Sequence, residues 1–441
     1  FRSSQTEGRH IIKTKMKKLL FFLFGLFSML SVSGQIRGNN IVVMVQPDHN
    51  EWNYVVGETA VFKVSVLKSS TLVNNVSVSY EAGPVMYPDV KKNAVLKNGT
   101  MTFSGKMNVP GFYRLKVIAN VNGKEYEGLC TAAFSPEKLT PYAYEPKDFE
   151  SFWNKALSEA RMNDLNPTKR LLPERCTVDD DVYEISYVNN SSNSRIYGIL
   201  SVPVKEGKYP ALLRVPGAGV RPYGGDTYTA PGKTIVLEIG IHGIPVTMQQ
   251  NVYDNLLAGA LNNYWDSNID NPDKNYYKRV VTGAVRGVDY IASLPQWDGK
   301  TIGVTGASQG GFLSLAVAAL DKRITFLGVV HDAMCDYSAE VHGVAGGWPH
   351  YFYNSTDKSL KEKVDASMYY DGVNFARRVH VPGWYSFGYN DEVVPPTSSY
   401  SLYNIVKAPK ILSVYQQTGH YWYQEQWDEW QSFIKEHLNV K

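Results

Sequence analysis

Three residues in this chain, far apart in sequence, could together cleave an acyl bond. Ser308 sits in Gly306-Ala307-Ser308-Gln309-Gly310, a G-x-S-x-G sequence lying between the apolar run Thr301 to Thr305 and an Ala/Leu/Val-rich stretch from Phe312. Strand, sharp turn and helix in that order make a nucleophile elbow. The residues two before and two after the serine must be small for strand and helix to pack around it. Asp391 follows the apolar run Val381 to Phe387, and His420 follows Ile411 to Tyr415. A serine is a weak nucleophile unless a histidine takes its proton and an acid orients the imidazole. The order Ser308, Asp391, His420, each just beyond a strand, supplies that set. Taken singly, Asp391 could be a turn residue, His420 could precede the last helix, and Glu392 is a neighbouring carboxylate that could compete for the acid role.

An acyl-transfer site also needs donors for the oxyanion. The N–H of Gln309 at the start of a helix is one candidate. The second is the N–H of Ala218, in Val215-Pro216-Gly217-Ala218-Gly219, where glycines let the backbone approach a substrate. No residue pattern calls for a cofactor or a metal.

The elements that must position these groups are short apolar runs: Ala211 to Val215, Thr234 to Ile239, Thr301 to Thr305, Phe326 to Val330, Val381 to Phe387 and Ile411 to Tyr415. Most are separated by stretches that can hold a helix, which predicts an α/β fold with a mainly parallel sheet covered on both faces, and the order Ser308, Asp391, His420 is the one expected of the α/β-hydrolase fold. Val182 to Val188 and Arg195 to Pro203 form a hairpin at its antiparallel edge. Helices are expected from a cap at Asp148, over 276–293 and over 424–438. The aromatic and glycine-rich stretch between Ala333 and Arg378 is expected to be a lid or a surface excursion.

From Ile41 to Phe134 the sequence is strand-like, with alternation in Tyr113-Arg114-Leu115-Lys116-Val117 that turns one face inward and the other to water. Six such runs, separated by turns such as Asn98-Gly99, predict a small all-β sandwich of immunoglobulin type, as a spacer or a glycan-binding module. The expected organisation is 1–15 upstream extension, 16–35 signal peptide, 36–134 sandwich, 135–146 linker and 147–441 hydrolase. The signal peptide is read from the two lysines and apolar run of Met16 to Gln35, too short for the ~20 residues that span a bilayer. It implies a periplasmic or secreted protein without stable membrane insertion. The formal charge of +3 over 441 residues gives no case for nucleic acid. Cys130, Cys176 and Cys335 are too scattered for a metal site and are read as free thiols.

From Asp148 onward the chain resembles the acetyl xylan esterase and cephalosporin C deacetylase family of α/β-hydrolases, carbohydrate esterase family seven. The resemblance is carried by DFESFWNKALSEAR at Asp148 to Arg161, by Tyr209 to Val215, by Ile302 to Gly311 with its G-x-S-Q-G-G form, by Gly388 to Thr397 and by Gly419-His420. It implies Ser308, Asp391 and His420 as the triad and a small acyl group, acetyl above all, on xylan-derived or related oligosaccharides. It also implies a homo-oligomer as one option. The chain departs from the family at His242-Gly243-Ile244, where Arg-Gly-Gln is usual, and at Pro216-Gly217-Ala218, where His-Gly-Tyr is frequent. Other readings of the same residues are a prolyl-oligopeptidase-like peptidase and a glycan-binding protein with a relic hydrolase domain.

Overall fold

The computed structural model describes residues 39–440; the leader read at Met16 to Gln35 lies outside the described residues. The front of the chain forms two packed sheets. Its strands are β1 (Ile41–Pro47), β2 (Asn53–Tyr54), β3 (Thr59–Lys68), β4 (Thr71–Leu72), β5 (Val76–Pro84), β6 (Val90–Leu96), β7 (Thr100–Lys106), β8 (Gly111–Val121) and β9 (Lys124–Phe134). One sheet joins β1, β3, β4 and β7, and the other runs β2-β9-β8-β5-β6. Alternate residues such as Phe62, Val64, Val66, Leu115 and Val117 fill the space between them. The six expected strands are present. Strand β6 escaped prediction because VKKNAVL, an edge strand paired only to β5, buries a single residue and shows no alternation.

The third sheet has nine strands, in the order β10-β11-β12-β14-β13-β15-β16-β17-β18. They are β10 (Thr168–Leu171), β11 (Asp180–Val188), β12 (Arg195–Pro203), β13 (Tyr209–Arg214), β14 (Ile235–Gly240), β15 (Trp297–Ala307), β16 (Phe326–Val330), β17 (Gly383–Phe387) and β18 (Lys410–Val414). Strands β14-β13-β15-β16-β17-β18 are parallel, while β10, β11 and β12 form the antiparallel edge. Side chains of a strand alternate between faces, so Ala211 and Leu213 of β13 meet one layer of helices and Leu212 the other. On the first face lie Tyr276–Ser293, which buries Val280, Val281, Ala284 and Val288, and Gln309–Leu320, apolar around its whole circumference and buried accordingly. On the second, Trp430, Phe433 and Ile434 of the helix Gln424–His437 cover Leu212, Val236 and Phe326. Each large apolar side chain buried this way contributes about 1.5–3 kcal/mol.

Two expectations need correcting. Asp148 precedes the helix Phe149–Arg161 but does not cap it by its side chain. Its carboxylate accepts instead from the Tyr369 hydroxyl at 2.5 Å. The stretch after Ala333 is not a simple surface excursion. Tyr337, Phe352, Met368 and Tyr370 are buried in the main core. His350 reaches the carbonyl of Val393 at 3.1 Å. The apolar content that lacked strand periodicity serves packing of short helices and turns. All three cysteines are free.

The segment joining the front sheets to the nine-stranded one is fastened by a buried acid. Asp336 Oδ1 accepts the amides of Tyr142 and Ala143, both at 2.8 Å, and Oδ2 accepts the Ser401 hydroxyl at 3.2 Å. Burial and the neighbouring Asp371 push the Asp336 carboxyl up to about 7, and burial raises Asp371 to about 6 and Asp332 to about 7. In an unfolded chain aspartates lose their protons near pH 4. Between that pH and about 7 the folded chain therefore holds more protons, and stability falls as pH rises. We expect the Tm at pH 5 to exceed that at pH 8 in thermal unfolding at constant ionic strength, and Asp332→Asn to flatten the slope. A Tm that climbs over this range contradicts the assignment.

Candidate active site

The carboxyl ends of β13, β15, β16, β17 and β18 open onto one rim, where ligands of open α/β sheets bind. At the end of β15, Ser308 has φ 61° and ψ −126°, a conformation that side chains other than glycine rarely adopt. The turn is held by its backbone. Ser308 N donates to Val330 O at 2.9 Å, and Ser308 O accepts from Gly311 and Ala333 at 2.8 and 3.2 Å. The small neighbours are required, since a Cβ at Gly306 or at Gly310 would fall 2.5 Å from Val215 O. The Ser308 side chain makes no hydrogen bond among the described residues, and the residue is half-buried.

Asp391 is fully buried, and its two oxygens are divided between two tasks. Oδ1 accepts the amides of Val393 and Val394 at 2.8 and 2.9 Å, a turn that fixes the carboxylate plane. Oδ2 meets His420 Nδ1 at 2.8 Å. Burial alone would raise this carboxyl, but contacts from His331 and His420 overcome it and hold Asp391 well below the usual carboxylate range. It is ionised at neutral pH. Glu392 points away and pairs with Lys116 at 3.0 Å.

His331 went unread in the sequence. It directly follows β16, has φ 46° and is buried, and its Nδ1 lies 3.3 Å from the same Asp391 oxygen without the alignment of a hydrogen bond. Its ring centroid is 5.2 Å from that of His420. The signal available was position, one residue beyond a strand whose neighbours also end in chemistry-bearing side chains. His331, Asp391 and His420 offer ligand atoms within 4.8 Å of one another. Donor atoms on a tetrahedral zinc ion would lie about 3.3 Å apart at ordinary bond lengths, so the 2.8 Å between Asp391 and His420 is a hydrogen bond and not two arms of one site.

The loop after β13 runs beside the elbow, with the Gly217 Cβ position 3.7 Å from Ser308 Cβ. Three successive carbonyls of this loop are occupied. Arg221 donates to Gly217 O and Ala218 O at 3.3 and 2.7 Å, and His242 Nε2 meets Gly219 O at 3.0 Å. Because a trans peptide sets C=O and N–H on opposite sides, anchoring Gly217 O to Arg221 turns the Ala218 N–H the other way. Neither that N–H nor the Gln309 N–H has a partner among the described residues. Burial holds His242 neutral, its pKa pushed down to about 4, so its Nε2–H donates while Nδ1 accepts from the Tyr276 hydroxyl at 2.7 Å.

The side chain of Gln309 ties loop and elbow together. Its Oε1 accepts the hydroxyls of Tyr264 and Tyr277, both at 2.8 Å, and its Nε2 donates to Pro216 O at 3.2 Å. Tyr264 in turn accepts the Gly219 amide at 3.2 Å. Gln309→Leu would leave two buried hydroxyls without acceptors, at about 1–3 kcal/mol each. We expect it to lower the unfolding free energy by about 2–5 kcal/mol in urea titration, whereas a loss under half a kcal/mol would show the network to be dispensable.

Residues 134–437 match the family model described as acetyl xylan esterase (AXE1). This chain belongs to that family. It is 39% identical over 408 residues to the acetyl esterase Axe7A of Xylanibacter ruminicola, which spans 90% of this chain and 91% of the relative. Among solved structures it is similar to an acetyl xylan esterase from a Paenibacillus species, with TM-score 0.60 and 23% identity over 68% of this chain and 98% of that one. It is similar as well to acetyl xylan esterase 1 from a Thermoanaerobacterium species, with TM-score 0.59, 24% identity and coverage of 68% and 97%. At these identities the structures show the α/β-hydrolase fold. Family membership makes the protein an esterase, and in this esterase His242 holds the Gly219 carbonyl. His420 also lines a groove of about 520 Å³ bordered by β1 and Trp52 of the sandwich and by Tyr421 and Gln417.

Proposed function

We propose that the protein is a secreted serine esterase that removes acetyl groups from xylan-type or related oligosaccharides through an acyl-enzyme. The observation that carries the mechanism is the 2.8 Å contact between His420 Nδ1 and the buried, ionised Asp391 on the rim that bears the strained Ser308. With Nδ1–H committed to Asp391, the other ring nitrogen is left unprotonated and can take the Ser308 proton. Ser308 Oγ then attacks the ester carbonyl. The N–H groups of Ala218 and Gln309 receive the oxyanion, each such donor being worth about 3–4 kcal/mol in comparable enzymes. His420 passes its proton to the departing sugar hydroxyl, and water cleaves the acetyl-enzyme by the reverse proton route. The Ser–His contact is commonly loose until substrate is bound. Asp391 stays charged and stabilises the imidazolium.

The acetyl and xylan specificity is inferred from the family and from the acetyl esterase relative. Secretion is inferred from the leader-like Met16 to Gln35. Among the described residues no helix is long and apolar enough to cross a membrane. On this reading the chain comprises a sandwich unit, 36–134, a linker, 135–146, and the hydrolase unit, 147–441. The test is acetate release from acetylated xylooligosaccharides, set against turnover of a peptide anilide. Faster turnover of the anilide would replace the esterase reading with a peptidase one.

A further inference from the structure

We propose that the N-terminal sandwich is a working part of the active site, with Arg114 as a positioning residue that holds the Asp391 loop in register with His420. The inference rests on the reading of Asp391 as the triad acid. Alternation along β8 suggested that Arg114 faces water, but its side chain is only 11% exposed. One Nη2 donates to two carbonyls of the acid loop, Tyr389 O at 3.0 Å and Asp391 O at 2.9 Å. Its Nε donates to Thr131 Oγ1 on β9 at 2.8 Å, which fixes the guanidinium to the sandwich. The fork therefore bridges two units, one end anchored in a sheet and the other on the backbone of the acid itself.

The rest of the loop is held from the same side. The Tyr389 hydroxyl donates to Asn53 Oδ1 at 2.9 Å, and its ring meets Phe112 edge-on at 5.0 Å. Asn390 Nδ2 donates to Leu129 O at 3.2 Å, and Glu392 pairs with Lys116. Each residue from 389 to 392 thus has a partner in the sandwich. The family match begins at residue 134, so every one of these partners lies ahead of it. A carboxylate must orient the imidazole within a few tenths of an ångström to be useful, and a displacement of about 1 Å can cost about 100-fold in rate. Clamping the carbonyls of Tyr389 and Asp391 supplies that precision from outside the hydrolase sheet.

The experiment is a double-mutant cycle on the full chain, with p-nitrophenyl acetate as substrate. We expect Arg114→Met to lower kcat about 30-fold with KM changed less than about threefold, because the loop shifts while the substrate cleft does not. Arg114→Lys keeps the charge but cannot span both carbonyls and Thr131, and should recover only part of kcat. In an Asp391→Asn background the same Arg114→Met change should cost less than about threefold, since a residue acting through the acid has nothing left to position. Equal losses in both backgrounds, or near-wild-type kcat in Arg114→Met, would overturn the proposal. If Arg114→Met does not fold, Arg114→Lys carries the cycle with the same criteria. Full activity in Asp391→Asn alone would instead remove the triad reading, an outcome separate from the Arg114 cycle.

Discussion

Ser308→Ala is expected to abolish acetate release, lowering kcat by roughly 10⁵-fold or more while leaving the fold and substrate binding intact. Alanine keeps the Cβ, so the strain at φ 61° is unchanged, and the amides and carbonyl that hold the turn are backbone groups. The side chain has no hydrogen bond among the described residues, so its removal orphans no buried partner. Thermal unfolding should therefore overlay that of the parent protein. What survives is the residual contribution of oxyanion donors and binding, typically 10³ to 10⁴ over water in triad enzymes. Activity of Ser308→Ala within tenfold of the parent would eliminate the serine mechanism.

Asp391→Asn should cost about 10⁴-fold in kcat, and the reason lies in the two tasks of the carboxylate. An asparagine can still accept the Val393 and Val394 amides, so the turn persists. Its NH₂ then faces His420 Nδ1, which must become an acceptor. The imidazole proton moves to the other nitrogen, the one that should receive the serine proton, and general-base catalysis fails. Kinetics with p-nitrophenyl acetate measure this directly. The comparison with Glu392→Gln is informative, because Glu392 is exposed and engaged with Lys116. A large loss in Glu392→Gln and a small one in Asp391→Asn would exchange the two roles.

The α/β sheet and the rim were legible because each of Ser308, Asp391 and His420 follows an apolar strand in a sheet whose parallel order forces those ends together. His331 follows a strand just as directly, yet a lone histidine ahead of an irregular aromatic stretch has no spacing to set it apart. Gln309 was read for its backbone N–H, which sequence position determines. The use of its side chain depends on Tyr264 and Tyr277, brought near only by tertiary packing. Arg114 was the hardest to read. A cation at alternate positions of a strand normally marks a wet face, and only the docking of a second unit onto that face turns it into a buried clamp.

The apolar seam between the units joins Val85, Phe112 and Ala133 of the front sheets to Phe387 and Tyr389 at the end of β17. Parting the chain near residue 140 would bare these rings to solvent on both fragments and leave the guanidinium without its carbonyls. Exchange of the leading module for a different β unit would then yield a sticky, weakly active remnant unless the incoming surface reproduced both the greasy strip and the cation beside it.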